Sequence, residues 1–254
     1  MLAILGPAKT IDMTPHDVTS KQTFPQYLEE SEILMNYLRE LSLREIKKLM
    51  KVSDNLATKT AENIAQWNGK YDAKKGIQAL LAFSGEVFNG LKARNLKEKD
   101  LLFAQEHVRI LSGLYGVLKP LDLILPYRLE MGTSLSNNRG KNLYEFWNNI
   151  IPGAITDTLD QTDEKILINL ASNEYFKSID PKNFKYKIIT PVFKEQDGDK
   201  YRNVTIYAKK ARGMMLRFII TNRIREAEKI KAFDNDGYYF NTSLSDEQNW
   251  YFTR

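Results

Sequence analysis

Two short stretches of this chain set residues that can do phosphate chemistry beside residues that can move a proton. Pro126-Tyr127-Arg128-Leu129-Glu130 places opposite charges two positions apart, on one side of the chain if it is extended. Arg128 offers a planar fork for phosphate, and Glu130 can serve as an acid, a base or the group orienting one; a structural ion pair explains the same spacing. Asn169 to Lys177 follows an apolar run, and a strand end turning into a helix start is where α/β sheets often place ligand contacts. Ser172 is expected to cap that helix, and Glu174 lies three residues from Lys177. Lys9, after the opening run and its Gly6-Pro7 turn, follows the same logic; the plain alternative is a solvated surface lysine.

Two further segments bear on anion binding. In RILSGLYGVLKPLDLILPYRLEMG, Arg109 to Gly132, two glycines lie three apart between apolar runs. This is either a tight packing turn or a hairpin whose free amides, with Lys119 beside them, grip a phosphate. From Lys209 to Lys231 there are eight basic and two acidic residues, an excess of +6 in a protein of net charge +5. That run is either a solvated helix face or a surface that tracks phosphates, where Tyr207 could stack on unpaired bases.

Composition removes other chemistries. Among 254 residues there is no Cys and there are two His, His16 and His107. Disulfides, thiolate ligands, thiol nucleophiles and thiol sensors are therefore excluded. A 2-His-1-carboxylate iron site would need both histidines, which argues against direct iron storage. No Walker loop, nucleophile elbow, H-E-x-x-H or dinucleotide fingerprint is present, so no cofactor is expected. Asp122, Glu130 and Glu174 remain the candidate acids.

The elements that must position these groups read as mixed α/β or α+β in one domain spanning 1–254. Leu2 to Leu5 is a short buried strand, and helices follow from Leu28, after a Ser42 cap and after an Asp54 cap. Ala79 to Ala93 reads as short, tightly packed pieces, and Leu143 to Leu159 as a helix broken near Pro152-Gly153. KILINLAS, KYKIITPVF and NVTIYAKK read as neighbouring strands, Arg212 to Arg225 as a helix, and the aromatic pairs near Tyr239 and Tyr251 as edge strands. No apolar run approaches the roughly 18 to 20 residues that span a bilayer, so no membrane partner and a cytoplasmic location are expected.

Taken together, LGPAKT, AFSGEVFNGL, the whole Arg109–Gly132 stretch, GKNLYEFW, INLASNEYFK and YAKKARGMMLRFII resemble the YaaA family of bacterial peroxide-stress proteins, from residue 1 to about residue 240. Gly6 stands where that family usually has Ser, and Ser84, Glu86 and Phe88 where it has Lys, Asp and Tyr. The resemblance implies a cytosolic protein that limits free iron and DNA damage under hydrogen peroxide. It also implies a single α/β domain with a basic cleft and a helix-hairpin-helix-like element that binds duplex or branched DNA with little sequence preference. Carried onto this chain, the hairpin role falls to Ser112, Gly113, Gly116 and Lys119. The cleft falls to Lys9, Arg128, Lys177, Lys209, Lys210, Arg212 and Arg217. The competing reading is an enzyme on a phosphate-bearing or nucleic-acid substrate, with Glu130 or Glu174 as acid or base. With no thiol, the chain is not expected to sense peroxide itself.

Overall fold

The computed structural model describes residues 1–68 and 75–254. The first strand, β1 (Leu2–Leu5), is apolar on both faces and fully buried, as a central parallel strand must be. It is followed by β2 (Thr10–Ile11) and three helices, α1 (Leu28–Arg39), α2 (Leu43–Met50) and α3 (Asp54–Gln66). Ser42 caps α2 in a capping box with Glu45. The cap of α3 is Ser53, not Asp54, which is already its first helical residue.

Short pieces occupy the next stretch: β3 (Ile77–Gln78), α4 (Ala79–Ala82), β4 (Phe83–Ser84) and α5 (Glu86–Leu91). Then come α6 (Glu98–His107), β5 (Val108–Ser112), β6 (Gly116–Leu118) and β7 (Leu123–Ile124). The expected break near Pro152 falls earlier, at Asn148, between α7 (Leu143–Trp147) and α8 (Ile150–Asp160). Pro152 lies in the first turn of α8, where no intrahelical N–H is needed.

The remaining elements are β8 (Ile166–Asn169), α9 (Asn173–Phe176), β9 (Lys187–Asp197), β10 (Lys200–Arg202), α10 (Thr205–Thr221), β11 (Tyr239–Phe240) and β12 (Asn249–Thr253). NVTIYAKK is therefore not a strand but the entry to α10. Its β-branched residues favour strand locally, yet Ala208, Ala211, Met215 and Ile219 continue one buried helical stripe, and tertiary packing overrides propensity. β12 is also not an edge, because it lies between β11 and β9.

The main sheet runs β11-β12-β9-β8-β1-β5-β6, with β10 paired to β9. The central strands β5, β1, β8, β9 and β12 are parallel, and the outer pairs are antiparallel. One contiguous apolar core surrounds it. From β1 the next strand of this sheet, β5, lies on one side, whereas from β8 the next, β9, lies on the other. The C-terminal ends of β1 and β8 thus form a switch point, the place where open α/β sheets hold ligands.

Candidate functional site

A cleft of about 620 Å³ opens at that switch point. Gly6 to Thr10 enter it from the end of β1, and Leu170 and Ser172 to Tyr175 from the end of β8. The segment Tyr127 to Glu130 forms another wall, and α5 and α10 bring Glu86, Lys209 and Arg212. Tyr127 and Tyr175 are nearly buried walls whose hydroxyls burial keeps neutral, raising both pKa values. Four cations (Lys9, Arg128, Lys209 and Arg212) meet three carboxylates (Glu86, Glu130 and Glu174), so the cleft is mixed in charge with a cationic excess of one.

The pairing inside the cleft is uneven. Lys9 Nζ lies 2.8 Å from Glu130 Oε2, while Arg128 Nη2 is 3.7 Å from Glu130 Oε1. Glu174 Oε1 accepts the Gly132 N–H at 2.8 Å. Arg128 has a side chain only 14% exposed, and its buried Nε has no hydrogen-bond partner. Arg212 and Lys209 have no hydrogen-bond or ion-pair partner among the described residues, and burial lowers the Arg212 pKa. Ser172 takes the N-cap position of α9 without donating or accepting a cap bond.

The glycine hairpin is where expectation and structure part. Arg109–Gly132 holds no pair of helices around its glycines; β5 and β6 pair antiparallel, with Ser112 opposite Gly116. Ser112, Gly113 and Gly116 are buried, so their amides are not available to a DNA backbone. A Cβ on Gly113 would lie 2.3 Å from the Leu129 carbonyl oxygen, and Ser112 Oγ hydrogen-bonds Tyr127 Oη at 2.7 Å. Gly116, at φ +66°, packs on Trp147. The turn therefore carries the segment that presents Arg128 and Glu130. Lys119 follows β6 at the end of the sheet opposite the C-terminal ends of β1 and β8, because β6 runs antiparallel to β5.

The basic run after Lys209 disperses in the same way. Lys210 pairs with Asp236 at 3.7 Å, Arg223 with Asp100 at 2.9 Å, Lys229 with Glu226 at 2.6 Å and Lys231 with Glu228 at 2.6 Å. Arg217 donates to the carbonyls of Leu91 and Lys92 at 2.9 and 3.0 Å, satisfying the C-terminal end of α5. Lys177 is exposed in the short helical turn after α9 and does not line the cleft.

Two cavities adjoin the cleft. One of about 620 Å³ lies past Glu130 and Glu174, and one of about 800 Å³ lies past Lys9 and Arg128. Among the described residues no group of three or more His, Cys, Asp or Glu could hold a metal ion, and no helix is long and apolar enough to cross a membrane.

The family described as "Peroxide stress protein YaaA" matches residues 1–244. The chain belongs to the YaaA peroxide-stress family. Relatives named UPF0246 protein from Ralstonia pickettii and Neisseria gonorrhoeae are 47% and 46% identical over 254 residues, covering all of this chain and 99% and 98% of their own. One from Clostridium perfringens is 48% identical over 256 residues, with both chains fully covered. All four positions at which this YaaA chain departs from the expected pattern (Gly6, Ser84, Glu86 and Phe88) line the cleft. A Cβ at Gly6 would meet Tyr175 at 3.4 Å, an ordinary contact, so a serine would fit there. Tyr127 and Tyr175 are the cleft residues that sequence reading passed over; each adjoins a residue it singled out, Arg128 and Glu174.

Proposed function

We propose that this protein acts in the peroxide stress response by binding DNA through the switch-point cleft, gripping phosphate with Lys9, Arg128, Lys209 and Arg212. Limiting free intracellular iron and oxidative DNA damage is the proposed cellular outcome. The observation that carries the reading is the convergence of these four cations, from segments far apart in sequence, on one cleft. Phosphate contacts of this kind position a backbone without reading bases, which fits binding to duplex or branched DNA with little sequence preference. Affinity should fall linearly on a log–log salt plot, by about 0.9 per phosphate contact. Anisotropy titrations at low salt test it. Absence of binding, or binding unchanged by Lys209→Glu with Arg212→Glu, would refute the proposal.

A second reading is supported by Glu130 and Glu174 lining the same cleft as the cations. In it, the cations hold a phosphate-bearing substrate while a carboxylate transfers a proton. Glu174→Gln should then abolish turnover of a phosphoester or nucleic-acid substrate while leaving its binding intact. A protein that turns over none of a panel of phosphoesters and oligonucleotides would end this reading and leave the first untouched.

A further inference from the structure

We infer that the cleft takes a phosphomonoester, a phosphate at the end of a strand or on a nucleotide, in preference to the flank of an intact duplex. This rests on the phosphate-binding reading above and narrows its ligand. Duplex DNA is stiff over about 150 base pairs, and its flank offers each phosphate on a convex face, within reach of exposed cations. Here the guanidiniums are recessed instead: Arg128 is 14% exposed at its side chain, and Arg212 is half-buried between the packed Ala211 and Gly213 of α10. A group that enters the cleft reaches both, whereas a rigid cylinder lying across its mouth does not.

The unused donors point the same way. Arg128 Nε is buried without an acceptor, and Arg212 has no partner at all among the described residues. An oxygen-rich anion entering the cleft gives the buried Arg128 Nε an acceptor, and the unpaired Arg212 guanidinium is open to the same group. A terminal phosphate presents three free oxygens to such forks, one more than a phosphodiester within a strand.

The adjoining cavities separate the charged end of the ligand from the rest. Past Glu130 and Glu174 the apolar lining is Leu41, Leu49, Met50 and Leu135, with Glu40 and Glu45 set among Lys48 and Lys51. Apolar walls of this kind accommodate the sugar and base of a ligand whose phosphate lies on the cleft cations. Lys9 and Arg128 both approach Glu130, at 2.8 and 3.7 Å, so the ligand phosphate centres on the carboxylate-free Lys209 and Arg212 and on the buried Arg128 Nε, with Lys9 beside them.

Internally labelled single strands carrying a phosphate at the 5′ end, at the 3′ end or at neither, and a blunt duplex with hydroxyl ends, are titrated by anisotropy at low salt. Adenosine monophosphate and inorganic phosphate serve as competitors. One end-phosphorylated strand is expected to bind at least tenfold more tightly than the hydroxyl strand and the duplex. That margin should vanish in Arg212→Gln and in Lys209→Gln; Lys209 is exposed, so its variant reads the site even where Arg212→Gln fails to fold. Competition by adenosine monophosphate would make the ligand a nucleotide; competition by end-phosphorylated strands alone would make it a strand end. Both results support the inference. Equal affinity for all strands and the duplex overturns it while leaving DNA binding intact. Binding of adenosine monophosphate without any nucleic acid supports it and removes DNA binding. No binding of any probe removes both.

Discussion

Gly90 in α5 and Gly213 in α10 face one another across a helix crossing in which each backbone occupies the space a side chain would need. A Cβ on Gly213 would lie 1.7 Å from the Val87 carbonyl oxygen, and one on Gly90 would lie 2.0 Å from that of Lys210. This approach sets Glu86 of α5 opposite Lys209 and Arg212 of α10, in one cleft. This close helix crossing thus determines the spacing of the charges.

Gly213→Ala should therefore be destabilising, although alanine is favoured over glycine in a helix by about 1 kcal/mol. The clash is with backbone, which cannot swing aside, and overpacking of this kind costs about 1–3 kcal/mol. Chemical denaturation should show a net loss, together with weaker nucleic-acid binding as Lys209 and Arg212 move. A variant as stable as the parent would mean the crossing is looser than described.

Asp122 gives the fold a pH dependence of unusual sign. It is buried, accepting from Thr23 Oγ1 at 2.6 Å and the Lys119 N–H at 2.7 Å, and burial raises its pKa to about 6 despite Arg109 nearby. A carboxyl with its folded pKa raised stabilises fully below its unfolded value near 3.8, and that contribution is lost as pH rises through about 6. At 1.36 kcal/mol per pKa unit the change is at most about 3 kcal/mol. The stability advantage of the parent over Asp122→Asn should shrink between pH 4 and pH 7 in urea melts. A difference that stays constant or grows contradicts the assignment.

Lys119 and Lys209 should behave oppositely in binding. Lys119 lies at the end of the sheet opposite the cleft, so Lys119→Ala should leave nucleic-acid affinity and its salt slope unchanged. Lys209→Ala should lower the slope by about 0.9. Equal effects of the two would restore the hairpin as a contact surface.

Ser84→Lys should strengthen phosphate binding. Ser84 lines the cleft beside Glu86, and a cation there raises the excess of positive side chains from one to two. The expected readout is a salt slope steeper by about 0.9, with tighter binding at low salt. Affinity that drops instead would show that the new ammonium pairs with Glu86 and closes the cleft.

Much of the architecture was legible because local signals agreed with packing. The apolar run at Leu2–Leu5, the Ser42–Glu45 capping box and the apolar run at Ile166–Ile168 each encode their element within a few residues. Val204–Tyr207 misled because its β-branched residues lie at the start of α10, before the buried stripe that decides the helix. The pair Gly113 and Gly116 signalled a turn correctly, but a turn between strands and a turn between helices share those glycines. The distinction lies in what packs on them, Leu129 and Trp147, which are distant in sequence.

By itself the sequence determined which chemistries are excluded, which residue types are on hand for phosphate, and family membership, because these depend on composition and on local strings. Only the tertiary structure decided which charges act together. The +6 run from Lys209 to Lys231 breaks into ion pairs with Asp236, Asp100, Glu226 and Glu228 and a helix cap on α5, while Lys209 and Arg212 join Lys9 and Arg128 at the switch point. Coulomb interaction falls with distance in space and is screened within about 10 Å at ordinary salt, so charge counted along the chain does not report the field a ligand meets.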